Sequence, residues 1–145
     1  MPMSVYNVLD WFFMTLHPAI ILFNLAGWML KKTRKANLVL LLFTGSSWFI
    51  LGLWKGIGYC PLTDWHFTVL EKAGAENLPD SYIKYLIHRI TGWNVTENTA
   101  DILTVTLYFI ALVCSLFVNI RSRMKMKKNK KQKKYKNEKE NRNLD

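Results

Sequence analysis

Residues 102–120 read ILTVTLYFIALVCSLFVNI, nineteen positions without a charged side chain. As a helix with a rise of about 1.5 Å per residue, this run covers roughly 28 Å, close to the hydrocarbon thickness of a bilayer. Two other runs match it. Trp11–Leu30 is twenty residues long and its only titratable member is His17, and Ala36–Trp54 is nineteen residues long without a charge. Three such runs in 145 residues leave too little polar chain to cover them as buried core helices. The reading is an all-α integral membrane protein with three transmembrane helices, spanning about 8–30, 36–54 and 101–120. The first run has no basic segment before it and exceeds a usual signal-peptide core, so it reads as a retained span.

Charge divides the chain sharply. Residues 121–145 carry 12 of the 20 Lys/Arg and 3 of the 10 acids, leaving 8 and 7 in residues 1–120. The body is nearly neutral and apolar, which argues against a soluble domain, a disordered chain or a disulfide scaffold. The tail, beginning RSRMKMKK at Arg121, is polybasic and poor in apolar residues, so it is expected to be disordered. Attraction to anionic lipid headgroups is its simplest use, because it starts at a span; nucleic acid is the less economical partner.

Basic residues also set the orientation. Lys31–Lys35 reads KKTRK, whereas residues 1–10 hold no Lys or Arg. Residues 55–99 balance Lys55, Lys72, Lys84 and Arg89 against five acids. The positive-inside bias puts the N-terminus outside, Lys31–Lys35 inside, residues 55–99 outside and the tail in the cytoplasm.

The outer segment 55–99 is patterned rather than loose. Gly56, Gly58 and Pro61 are expected to break the second span, and Thr63 or Asp64 to cap a helix that ends near Gly74. Leu62, Trp65, His66, Val69, Leu70 and Ala73 share one broad arc of it. A second short helix is predicted from Pro79–Asp80 to Gly92, with Tyr82, Ile83, Leu86, Ile87, Ile90 and Trp93 as its apolar stripe. Both read as a short amphipathic pair lying over the outer leaflet. Asn98 then supplies an N-cap for the third span.

Ionisable and amide side chains in spans are costly in lipid and so face the bundle interior. Asp10, His17 and Asn24 recur every seven residues, on one stripe of the first helix. Thr104, Tyr108, Ala111 and Ser115 make a polar and small stripe on the third, and Thr44, Gly45, Ser47 and Gly52 supply small residues on the second. These stripes serve either as packing seams or as a site. For a site, His17, His66 and Cys60 are the candidate metal ligands, with Asp10, Asp101 and Asn24 as hydrogen-bonding supports. Cys60 and Cys114 lie at different depths and cannot pair within the chain. No HExxH or CxxC spacing, phosphate-binding glycine loop or hydrolase elbow occurs. The sequence therefore names no catalytic residue and no cofactor.

Leu16-His17 and Gly27 in the first helix precede Gly58-Tyr59-Cys60-Pro61-Leu62-Thr63, an amphipathic segment and a last span with a basic end. In that order, over residues 8–122, the chain resembles a family of small bacterial inner-membrane proteins of unknown function, marked by Cys-Pro-Leu-Thr after the second span. The resemblance implies an inner-membrane location and this fold, and assigns no reaction. Three functions compete: a non-enzymatic accessory or structural envelope component, a metal- or haem-binding redox protein, and a small transporter or proton-conducting subunit. The third would use the Asp10–His17–Asn24 stripe and a homo-oligomer to enclose its path. A membrane protein partner fits the first.

Overall fold

A computed structural model of the chain describes residues 3–55 and 59–142. Gly56 and Gly58, expected to break the second span, lie outside the described residues. Among the described residues there are helices and no strand: α1 (Met3–Ala26), α2 (Arg34–Ser46), α3 (Gly52–Lys55), α4 (Pro61–Lys72), α5 (Tyr82–Thr91) and α6 (Glu97–Arg142). A π-helical stretch, Ser47–Leu51, joins α2 to α3. Three helical stretches are long and apolar enough to cross a membrane: Val5–Ala26, Arg34–Trp54 and Glu97–Lys139.

The three spans pack on one another, α4 lies along α1, and α5 touches α6. The bundle thus has two distinct ends. One carries the α4–α5 layer, and the other carries the turn from Gly27 to Thr33. Burial is inverted relative to a water-soluble protein. Asn24, Asn37, Ser115 and Asn119 are buried, while Trp11, Phe43, Leu53, Val113 and Phe117 are each more than 60% exposed. That distribution suits a solvent that is itself apolar, in which polar groups must find partners inside the bundle.

Helix boundaries differ from the sequence reading for local reasons. The first span was expected to reach Leu30, yet α1 ends at Ala26. Asn37 and the Phe23 carbonyl crowd Gly27: a Cβ there would sit 3.0 Å from Asn37 Nδ2 and 2.6 Å from that oxygen. The following turn is fastened by Thr33 Oγ1 donating to the Gly27 carbonyl at 2.6 Å. The apolar run continues through Trp28-Met29-Leu30 because hydropathy depends on side-chain type and does not record where the backbone turns.

In the layer, Cys60 in extended conformation is the N-cap of α4, with Pro61 at the first helical position. The cap falls earlier than Thr63 or Asp64 because proline needs no hydrogen-bond acceptor there and its φ is already helical. Ser81 precedes α5, and Gly92 closes it in the left-handed conformation at φ 76°. Thr96, not Asn98, caps α6: its hydroxyl accepts the Thr99 N–H at 3.2 Å. The largest departure is the tail. Expected to be disordered, it continues α6 to Arg142. Lys, Gln and Glu are good helix formers, and a preformed span removes the cost of nucleating a new helix.

Candidate functional site

The layer end brings a carboxylate, two imidazoles, a guanidinium and two phenols together. One turn of α1 presents Asp10 and Phe13, and His17 follows a turn later. His66 comes from α4, and Tyr82, Tyr85 and Arg89 come from α5. His66 is fully buried, and both its ring nitrogens are engaged. Nε2 lies 2.8 Å from Asp10 Oδ1, and Nδ1 lies 3.2 Å from the Tyr82 hydroxyl. Arg89 forks onto the same carboxylate, Nη1 to Oδ1 at 3.0 Å and Nη2 to Oδ2 at 2.7 Å. Because a carboxylate only accepts, His66 Nε2 carries a proton. In the neutral ring Nδ1 then accepts from Tyr82.

Aromatic rings close around this network. Phe13 stacks on His66 with centroids 5.5 Å apart, and His17 stacks on Tyr82 at 3.9 Å. Phe67 meets Tyr85 edge-on at 5.5 Å. The Arg89 guanidinium lies over the Tyr85 ring and also donates to its hydroxyl. The contact with Asp10 raises the Arg89 pKa, holding the guanidinium charged. Burial pushes the Tyr82 and Tyr85 phenols above their ordinary range. Outside the cluster, Tyr59 donates to Asp64 at 2.9 Å, and this bond raises the Tyr59 phenol.

The predicted residues separate accordingly. Asp10, His17 and His66 come together, His17 and His66 both against the Tyr82 ring. Cys60 caps α4 as a free thiol, and Asp101 is exposed on α6. Asn24 belongs to the other end of the bundle. Among the described residues, no group of three or more His, Cys, Asp and Glu side chains is arranged to hold a metal ion. His66 already directs one nitrogen at a carboxylate and the other at a phenol. His17 differs: it is 7% exposed and its Nδ1 is buried without a hydrogen-bond partner.

The turn end holds a second, uncharged network. Asn37, fully buried, donates Nδ2 to the carbonyls of Phe23 (2.7 Å) and Asn24 (3.1 Å). Its Oδ1 accepts from Ser115 Oγ at 2.8 Å. Asn119 donates to the carbonyls of Arg34 and Ser115, and Asn24 Nδ2 donates to Thr44 Oγ1 at 3.0 Å. Tyr108 donates to the Leu41 carbonyl at 2.9 Å, its hydroxyl filling the space a Cβ on Gly45 would need. Asn37 completes the C-terminus of α1 by reaching its last carbonyls from another helix.

Sequence reasoning missed Arg89, Tyr82, Tyr85, Asn37 and Asn119 as partners. Arg89 follows Tyr85 by four residues and Tyr82 by seven, a spacing that puts all three on one face of α5. The predicted apolar stripe of this helix shares only Tyr82 with that face, and Arg89 enters the sequence reading only as outer-segment charge. On α4 the interior face is His66, Phe67 and Leu70, while Trp65 is 61% exposed. His66 and Leu70, both on the predicted arc, are the buried residues of α4, and Leu62, Val69 and Ala73 are half-buried beside them, so Trp65 is the one member of that arc turned outward.

The family described as Protein of Unknown function (DUF2784) matches residues 7–120. No curated protein and no solved structure matches the chain. The matched region includes every residue of the layer-end cluster and of the amide seam, and it leaves out the polybasic extension.

Proposed function

The chain belongs to this family of unknown function, and on that premise we propose that it is a non-enzymatic, multi-pass component of the bacterial inner membrane. Its role is that of an accessory or structural envelope protein, with the α4–α5 layer latched to the first span as a fixed outer surface. The observation that carries this reading is the Asp10 carboxylate. It is bound by both arms of Arg89 and by His66, so these ionisable groups satisfy one another and tie three helices together. The positive-inside bias supports an outside N-terminus and layer, with Lys31–Lys35 and the basic extension in the cytoplasm. A cytoplasm-dependent reporter is expected to be active after Lys35 and silent near Gly74; activity at Gly74 contradicts this orientation.

One observation favours a second reading, a small proton-conducting subunit. His17 Nδ1 is buried and unpartnered beside Tyr82, as a proton-accepting position would be. Two measurements separate the readings: thermal unfolding of Asp10→Asn, Arg89→Gln and the double variant, and proton flux into liposomes holding the wild type. The accessory role predicts coupled destabilisation and flux no greater than empty liposomes. Flux abolished by His17→Gln in a folded protein replaces it with the conducting role.

A further inference from the structure

At the turn end, a cleft of about 470 Å³ opens between the Gly27–Thr33 turn and α6. Four of its lining residues are basic: Lys31 and Arg34 on one side, Arg121 and Lys125 on the other. Among the described residues, none of the four is in a salt bridge. Arg34 is fixed in place. Its Nε donates to the Trp28 carbonyl at 3.1 Å and its Nη1 to Ser122 Oγ at 3.2 Å. Its own carbonyl accepts from the buried Asn119 at 3.0 Å. Four cations facing one cleft repel one another, and the repulsion is stronger beside a low-dielectric phase than in water.

An anion relieves that repulsion, and a guanidinium held in a set orientation recognises phosphate oxygens without first losing side-chain freedom. The remaining wall identifies the carrier of the phosphate. Phe117 and Met126 line the same cleft and are 62% and 50% exposed, continuous with the lipid-facing surface of α6. We propose that this cleft binds the phosphate group of an anionic phospholipid, with an acyl chain lying against Phe117. It is a site separate from the diffuse charge of the α6 extension, whose lysines beyond Asn129 have neither a fixed guanidinium nor an apolar wall beside them.

The test uses the full-length protein released from a neutral detergent into a native mass spectrometer, with short-chain phosphatidylglycerol, short-chain phosphatidylcholine or inorganic phosphate added. Phosphatidylglycerol is expected to be retained and the other two lost. Arg121→Gln/Lys125→Gln, at exposed positions on α6, is expected to weaken retention roughly 10- to 30-fold, from about 1 kcal/mol per basic residue. Lys133→Gln/Lys134→Gln removes the same charge from the extension and is expected to change nothing. Arg34→Lys keeps the charge without the fork and is expected to weaken binding as well. Equal losses from the two double variants reduce the effect to tail electrostatics and overturn the site. Equal retention of phosphatidylcholine, or of inorganic phosphate alone, overturns the anionic phospholipid as its ligand.

Discussion

The two ends of the bundle solve the same problem with different chemistry. At the layer end, α1 is joined to α4 and α5 by a carboxylate, an imidazole and a guanidinium, with the Arg89 side chain still one-third exposed. At the turn end, α1 is joined to α2 and α6 by amides and hydroxyls, with Asn37 and Ser115 fully buried. Ionised groups persist where water reaches one member and the opposite charge reaches the other. Deeper among the spans a charge has no such relief, and neutral amides satisfy backbone carbonyls at lower desolvation cost. The contrast says where this protein can respond to pH and salt. The layer end can, and the seam cannot.

The largest effect is expected from removing the centre of the ionic network. Asp10→Ala leaves Arg89 and His66 without their acceptor, and breaking such a partly buried pair costs on the order of 3 kcal/mol. Removing Arg89 as well is expected to restore part of that loss, since the uncompensated cation goes with it. Detergent-solubilised protein, followed by thermal or SDS unfolding, reads both. If the two single variants simply add, the network is a set of independent contacts and the contrast with the seam weakens.

Asn37→Ala comes next. Three hydrogen bonds are lost from a fully buried side chain, and at roughly 0.6–1 kcal/mol each within a bilayer the expected cost is about 2 kcal/mol. Ser115→Ala, which removes one of the three, is expected to cost about a third as much. Both losses should be the same at pH 6 and pH 8 and in low and high salt, because no titrating group takes part. A pH-dependent cost for Asn37→Ala would mean that the two ends are energetically coupled through α1.

A smaller effect is expected at alkaline pH. The Tyr82 and Tyr85 phenols are raised in the folded protein by burial. Between the ordinary phenol pKa of about 10 and the raised value, the unfolded chain loses the proton while the folded one keeps it. The stability these neutral phenols support is therefore complete below about pH 10 and falls as pH rises beyond it. Phenolate absorbance near 295 nm should show Tyr82 ionising only as the layer end opens, and Tyr82→Phe should remove part of the alkaline loss. Ionisation of Tyr82 at the ordinary pH in a folded protein would place that ring in water.

Much of this arrangement was readable in the residues, and what was not follows from one cause. Uncharged runs of nineteen or twenty residues announce spans because lipid leaves its mark on composition. Thr104, Tyr108, Ala111 and Ser115 were legible as a seam because a stripe lies on one helix and needs no partner to be seen. Depth alone groups Asp10, His17, His66, Cys60 and Asp101; the first three meet around Tyr82, whereas Cys60 caps α4 and Asp101 is exposed. Asn24 and Asp10 share a stripe but not a partner, since fourteen residues of helix separate them by about 21 Å. Arg89 was invisible because the rotation of α5 is set by what α1 offers it, and a helix of ten residues carries no mark of its neighbour. The break at Gly27 was hidden because Trp28, Met29 and Leu30 are apolar in their own right and look like more span.

The smallest effect is expected from the basic extension, although it is the most conspicuous feature of the sequence. Its only salt bridge among the described residues joins Lys134 to Glu138 at 3.7 Å, four residues apart, with both side chains more than half exposed. Exposed pairs of this kind contribute between roughly zero and 1 kcal/mol, and the surrounding lysines repel one another along the same helix. Beyond Asn129 the extension is helical because α6 delivers a formed turn to good helix-forming residues, and its side chains there are exposed through Lys139. Truncation after Asn129, which keeps all the basic cleft residues, is therefore expected to leave the unfolding midpoint unchanged while lowering helical ellipticity in proportion to the residues removed. A clear fall in the midpoint would show that the extension contacts the bundle. Unchanged ellipticity would show that those residues are not helical in solution, and the contrast between ordered ends and a merely continued helix would have to be redrawn at Asn129.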